Sequence, residues 1–252
     1  QLSVITVVRD DSSGFSETLK SLNEQSLTEF DWVVIDSSAD RTAISSLVES
    51  SGRSADYLWV EPEGIYPAMN LGASLAKGRY LYFLNSGDTL FTSNTLSRVN
   101  EALVATCPLW AFGNIDFWNQ KGQKLTEPNW DYSTEHQHRF ARGRFPGHQG
   151  LFVDKNAFEA LGGLDTQFSI AADYHMICRL SQIQAPCELG FVVANFTQGG
   201  ASTVSWRIAQ KEFRKARKMV FPLNLVNRLE ELRFGVKAYA SHIIANRRSN
   251  SK

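Results

Sequence analysis

An α/β fold is predicted for this chain: a mostly parallel sheet with helices on both faces, followed by a helical tail. Three observations predict it. Short apolar runs alternate with helical patterns through the first hundred residues, as in β-α-β-α units. The length of 252 residues suits one α/β domain with an extension. Charge then separates the two parts. Residues 201–252 hold 12 Lys/Arg against 3 Asp/Glu, whereas residues 1–200 hold 14 against 23, so an acidic body of 1–200 precedes a basic tail of 201–252.

Each element has its own signal. Leu2–Val8 is a β-branched run that reads as a buried strand. Phe15, Leu19 and Leu22 recur at helical spacing, predicting a helix over 16–25. Residues 32–35 form a second strand ending at Asp36, and Ile44, Leu47 and Val48 mark a helix over 42–49. A third strand covers 57–60. Pro67 suits a helix first turn, so a helix over 68–76 follows, stopped by Gly78. Residues 80–84 are the fourth strand, 85–88 a turn, and 95–105 a helix. Beyond, Trp110–Trp118 and 150–153 are strand-like, 127–147 reads as a long loop, 156–161 and 173–182 as helices, and 188–196 as a strand. In the tail, Trp206, Phe213 and Val220 lie seven apart. Pro222 breaks that run, and Leu225 to Ile243 begins a second amphipathic pattern.

Composition excludes several classes. Hydrophobic residues at 43% and charged residues at 21% are those of a globular protein, not a disordered chain or a coiled coil. The acidic body argues against a nucleic-acid partner, which needs Lys and Arg along one face. Three cysteines with no C-x-x-C suit reduced thiols. Residues 1–8 lack a basic leader, so no signal peptide is expected, and no apolar run is long enough to span a bilayer. A cytoplasmic location is the expectation.

Ligands of parallel sheets bind beyond the carboxyl ends of the strands. That selects residues 9–13, 36–42, 61–66 and 85–88 as site loops, three of them carrying carboxylates. Asp88 follows an apolar strand in a Gly-containing turn. A carboxylate there can hold a hard divalent cation, or simply cap the helix near Thr92. Asp173, at a helix start, reads by itself as an N-cap.

The ordered set VITVVRDD, VVIDSSADRT, GIYPAMNLG, GRYLYFLNSGD, FPGHQG, GGLD and AADYHMICRL resembles the family 2 glycosyltransferases of the GT-A fold, a Rossmann-like architecture. The similarity spans about residues 2–200 and is nearest to bacterial exopolysaccharide and O-antigen transferases. It implies that Thr6 and Arg9 line a nucleotide pocket, and that Asp36 receives the base or ribose. Asp40 matches an acidic loop position, next to Arg41 where the family usually has Gly. Asn70 would lie near the diphosphate. Asp88 matches the last acid of a D-x-D whose first acid is Ser86 here, and would hold Mg2+ or Mn2+. Asp173 matches the catalytic base, with Asp165 the next candidate.

His148 is expected to bind the sugar, the diphosphate or the metal, unless it is a structural histidine. The 162–165 turn would lie over the acceptor pocket, and Trp110, Trp118 and Trp130 could stack on a sugar ring or pack in the core.

The function so implied is inverting transfer from a nucleotide-diphosphate sugar, uridine-based by family habit, to a glycan or lipid-linked saccharide. An anionic membrane surface is the further partner for the basic tail, placing the enzyme peripherally at the inner face of the cell membrane. Two other classes stand beside it. A non-catalytic sugar-nucleotide or glycan-binding module would share the fold without turnover. A dinucleotide oxidoreductase needs a glycine-rich turn after strand one. Here that position reads Arg9-Asp10-Asp11-Ser12-Ser13-Gly14, whose acids would repel a pyrophosphate.

Overall fold

A computed structural model of the chain describes residues 1–119, 121–125, 136–197 and 206–221. Among them are β1 (Leu2–Val8), α1 (Ser12–Asn23), β2 (Asp31–Asp36), α2 (Ala43–Ser50), β3 (Asp56–Trp59), α3 (Ile65–Leu75), β4 (Tyr80–Phe83), β5 (Thr89–Leu90) and α4 (Thr95–Thr106). The chain continues with β6 (Trp110–Trp118), β7 (Lys124–Leu125), α5 (His136–Ala141), β8 (Leu151–Asp154), α6 (Lys155–Ala160), α7 (Ala172–Ile183), β9 (Cys187–Thr197) and α8 (Trp206–Val220). None of these helices is long and apolar enough to cross a membrane.

One mixed sheet runs in the order β3-β2-β1-β4-β8-β6-β9-β5, with β7 paired to β6. Strands β3, β2, β1 and β4 are mutually parallel, as is β6 with β9, and these pairs hold most of the registered residues. The expected mostly parallel α/β fold is therefore present. Strand β8 runs antiparallel to both β4 and β6. This reversal puts the N-terminal end of β8 beside the C-terminal ends of the parallel strands. Residues just before β8 thus reach the edge where the site loops gather.

Alternation along β1 builds two cores. Ile5 and Val7 enter a layer with Ile35, Met69, Ala73 and residues of α7, while Val4 and Val8 enter another with Phe15, Trp32, Ile44 and Leu96. Each such fully buried side chain contributes about 1.5–3 kcal/mol. Helix α3 lies close on the sheet because Gly72 has no side chain. A Cβ there would come within 2.4 Å of Ile5 Cγ2.

The differences from the expected elements have local causes. Helix α1 starts four residues earlier than 16, because Asp11 caps it by accepting from the Gly14 amide at 3.0 Å. Helix α3 begins at Ile65, with Pro67 inside the first turn, where its missing N–H costs nothing. The two-residue strand β5, unexpected after the turn, pairs antiparallel with β9. The expected long loop over 127–147 contains α5, where Phe140 is fully buried and Gln137 donates to Ser181 O at 2.7 Å. Trp130 and the second tail pattern after Pro222 lie outside the described residues.

Candidate active site

A cleft of about 330 Å³ opens at the carboxyl ends of β1 and β4. Val8, Arg9 and Asp11 line it from β1, Gly64 and Ile65 from the start of α3, and Asn85 and Ser86 from the turn after β4. Asp11 was absent from the sequence-based candidates, yet it ties this wall together. Its carboxylate both caps α1 and accepts from Ser86 Oγ at 2.8 Å. The signal was in the sequence: an acid in the loop after strand one, read there only as part of a site loop.

Several expected donor contacts are engaged within the protein. Thr6 is fully buried and accepts the Trp32 indole N–H at 3.1 Å, so it does not reach the cleft. Asp36 is also fully buried, with one oxygen taking the Ser38 amide and the other the Tyr57 hydroxyl, both at 2.8 Å. That contact, after burial itself, pushes the Tyr57 hydroxyl above its ordinary range. Asp40 is exposed and binds the Thr42 amide and hydroxyl at 2.9 and 2.7 Å, which pulls its carboxyl below the usual value. It therefore organises the start of α2. Arg41 lies over the Trp59 ring at 3.4 Å, and the Trp59 indole donates to Ser38 O at 2.9 Å. The residue in place of the family's Gly fixes this loop by stacking.

Asn70 has an equally specific internal role. Its amide donates to Leu164 O and accepts from Leu164 N, both at 2.8 Å. Gly163, at φ 71°, sits under it, where a Cβ would come within 2.7 Å of Asn70 Oδ1. The Gly162-Gly163 pair thus lets the 162–165 turn press against α3. Asp165 faces His175, at 3.5 Å, rather than the cleft. Trp110 is fully buried and donates to Gln184 O, while Trp118 donates to Asn195 Oδ1. These indoles serve packing.

The remaining candidates converge. Asn85 Nδ2 lies 3.3 Å from His148 Nε2, and His148 Nδ1 lies 3.3 Å from Asp173 Oδ2. His148 is carried on a single 3₁₀ turn (His148–Gly150) before β8, pinned by the Tyr82 hydroxyl on Gln149 O at 2.9 Å. Asp173 sits in the first turn of α7, its Oδ1 taking the Tyr174 amide at 2.7 Å. The Tyr66 hydroxyl donates to Ile170 O and lies 3.5 Å from Asp173 Oδ1. Tyr66 closes the expected 61–66 site loop but was not singled out as a site residue, because its contact with Ile170 and Asp173 lies more than a hundred residues away in sequence.

Electrostatics distinguish this group. Asp88 is 6% exposed, and burial pushes its carboxyl up to about 7, against the pull of His148 and a Gln149 hydrogen bond. Burial alone would lower the His148 imidazole. Its bond to Asp173 and the charges of Asp173 and Asp88 outweigh that and raise it. Asn85 Oδ1 is buried without a hydrogen-bond partner. A carboxylate near its titration point, an orphaned amide oxygen and an imidazole nitrogen thus lie together. Among the described residues there is no group of three His, Cys, Asp or Glu that could hold a metal unaided.

Comparison with known proteins identifies the family and the fold. Residues 3–161 match the model of glycosyl transferase family 2. An uncharacterized glycosyltransferase of Mycobacterium tuberculosis is 29% identical over 208 residues, covering 80% of this chain and 77% of the relative. A PGL/p-HBAD biosynthesis glycosyltransferase of Mycobacterium bovis is 27% identical over 156 residues, covering 61% and 57%.

Among solved structures, S. aureus TarS 1-349 in complex with UDP-GlcNAc superposes with a TM-score of 0.65 at 16% identity, over 93% of this chain and 71% of that one. The longer S. aureus TarS chain is matched over 38% of its length. The mannosyltransferase PcManGT from Pyrobaculum calidifontis, in complex with GDP-Man and Mn2+, gives 0.66 at 15% identity, over 96% and 75%. At these identities the structural likeness speaks to the GT-A fold. The family match, covering more than half of the sequence, establishes that the chain belongs to glycosyl transferase family 2.

Proposed function

We propose that this chain is an inverting glycosyltransferase, moving a sugar from a nucleoside-diphosphate sugar to an acceptor hydroxyl. The observation that carries the reading is the meeting of Asp88 and Asp173 at His148, beside the cleft lined by Arg9, Asn85 and Ser86. Structural neighbours solved in complex with UDP-GlcNAc or GDP-Man support a donor of this class.

The nucleotide occupies the cleft between the β1 loop and the start of α3. Arg9, 64% exposed at its side chain, pairs with the exposed Asp10 at 3.7 Å, and would exchange that solvated contact for the phosphates. Asp173 accepts the proton of the acceptor hydroxyl as its oxygen attacks the anomeric carbon. The bond from that carbon to the diphosphate breaks, and its electron pair leaves on the phosphate oxygen. Attack from the opposite face turns an α-linked donor into a β-linked product. His148 keeps one Asp173 oxygen oriented, and Tyr66 keeps the other within reach of a donor.

Asp88 and the unpartnered Asn85 Oδ1 would hold a hard divalent cation, Mg2+ or Mn2+, while His148 Nε2 stays against the Asn85 amide nitrogen at 3.3 Å and orients that side chain. When bound, such an ion neutralises charge on the leaving diphosphate. The acceptor we favour is a glycan or lipid-linked saccharide. The catalytic unit is residues 1–200, with 201–252 as a tail that also meets an anionic membrane surface.

A transfer assay with a panel of nucleoside-diphosphate sugars, with Mn2+ and with excess EDTA, tests this. Release of nucleoside diphosphate that depends on donor, acceptor and metal is expected. A donor at about 100 times its dissociation constant should also add about 2.7 kcal/mol of stability. Tight donor binding with no turnover on any hydroxyl acceptor would instead indicate a binding module.

A further inference from the structure

The start of α7 is held from the tail. Its N-cap residue, Ala171, has no side chain that can cap. The three preceding amides converge instead on Glu212 of α8. Its oxygens accept from Ser169 N at 3.0 Å, Ile170 N at 2.7 Å and Ala171 N at 3.1 Å, and from Ser169 Oγ at 2.7 Å. Burial would raise the Glu212 carboxyl, but these bonds prevail and hold it below its ordinary range. It is an ionised cap supplied from another helix, with charge-assisted bonds.

The same stretch is pinned from its other side. Ile170 donates its N–H to Glu212 and accepts the Tyr66 hydroxyl at its carbonyl. Asp173 follows three residues later. On the far side of Asp173, Tyr174 packs edge-on against Phe213 of α8, with ring centroids 5.4 Å apart. Helix α8 therefore touches the chain on both sides of the carboxylate. Phe213, Ala216 and Phe221 pack against the body's core and supply the apolar contact. Glu212 is not needed for that packing, and its geometry is directed at the backbone leading into Asp173.

We propose that Glu212 is a positioning residue for Asp173, so that docking of the tail helix makes the base competent. The inference rests on the reading of Asp173 as the base. It gives the tail a part in the reaction beyond packing or surface attachment. An error of about 1 Å in a reacting group can cost on the order of a hundredfold in rate.

Three full-length variants test it: Glu212→Gln, Glu212→Ala and Asp173→Asn. Each is assayed for kcat, donor KM and calorimetric nucleotide binding, with rates expressed per binding-competent site. Glu212→Gln keeps the size and loses the charge. It should lower kcat about tenfold, and Glu212→Ala more, with donor KM and nucleotide affinity within about twofold of wild type. Amide exchange should accelerate over residues 169–173. Equal losses in kcat and nucleotide binding would make Glu212 a general structural residue and overturn the proposal. So would unchanged kcat in both Glu212 variants while Asp173→Asn is inactive. If Asp173→Asn transfers at the wild-type rate, the reading of the base fails first and takes this inference with it.

Discussion

The two walls of the cleft handle charge in opposite ways. On the wall made by β1, β2 and α3, Arg9 and Asp40 are exposed and solvated, and buried Asp36 is satisfied by Ser38 and Tyr57. On the side made by the turn after β4, the turn before β8 and the start of α7, Asp88 and His148 are enclosed beside Asp173 and the unpartnered Asn85 Oδ1, and their ionisation is displaced. Solvated or saturated groups hold shape and attract ligand at little cost. Enclosed groups with displaced ionisation cost stability and gain in reactivity. On the proposed reading, the difference separates a wall that binds from one that reacts.

The largest effect that sharpens this contrast is at Asp173. Asp173→Asn keeps the bond to the Tyr174 amide but cannot accept a proton, and should lower kcat by roughly a hundred- to ten-thousandfold. Nucleotide affinity, which the proposal assigns to the other wall, should stay near wild type in calorimetry. Near-normal transfer would move the base elsewhere, with Asp165 next to be tried.

Asp88 tests the cost of enclosure. Its carboxyl is held near 7 in the folded protein against 3.8 in model compounds. The folded state therefore binds the extra proton between those values. Stability from this group is greatest below about 4, falls as pH rises, and is lowest above about 7. Asp88→Asn removes that fall, so the variant should gain stability over wild type as pH increases, by on the order of a few kcal/mol at pH 8.5. Transfer should drop about a hundredfold or more, because a proposed ligand of the divalent cation that would neutralise the leaving diphosphate is lost. Thermal melts of both proteins at pH 5 and pH 8.5 give the check. Parallel melting curves would mean that Asp88 is well solvated and that the two walls do not differ as described.

The binding wall was easier to read as fold than as chemistry. Its strands and helices follow from local period, and Leu2–Val8 and Trp110–Trp118 coincide with the expected strands residue for residue. Its polar residues were less legible, because a motif does not say which partner a side chain takes. Thr6 was claimed by Trp32, and Asn70 by Leu164, 94 residues away. The reacting wall has the reverse character. The helix over 136–141 was hidden among loop-like residues, yet the expected His148 and Asp173 were brought together. Tyr66 and Asp11 fell within expected site loops without individual roles, and Glu212 was not singled out, because each acts through a contact made only by the tertiary fold.

Asn70 offers a smaller test of the same division. Asn70→Ala breaks both bonds to Leu164 and leaves two backbone groups short of partners, at about 2 kcal/mol in total. For a chain of this size that lowers the melting temperature by roughly 4–8 °C. Donor KM should change less than twofold. A large rise in donor KM with an unchanged melting temperature would put Asn70 on the diphosphate, as the family resemblance implied.

The smallest expected effect concerns the outer face of α8. With Phe213 and Ala216 turned to the body, Lys211, Arg214, Lys215 and Lys218 are left exposed, beside Ile208 and Met219 at 52% each. Lys215 also reaches over the Phe168 ring at 5.0 Å, so part of its charge is already used. A basic stripe flanked by two apolar side chains matches an anionic lipid surface, to which each cation contributes about 1 kcal/mol. That attraction fades beyond a Debye length of about 8 Å at physiological salt, so binding of this kind would be weak and salt-sensitive. We expect the protein to sediment with anionic vesicles at low salt and to be released at high salt. Deleting residues 223–252 and neutralising the four basic residues should abolish it. Glu212, on the inner side of the same helix, is untouched by those changes, so transfer to a soluble acceptor should persist. Vesicle binding that survives them would assign lipid contact to another part of the body, and no binding at low salt would leave α8 as a docking helix alone.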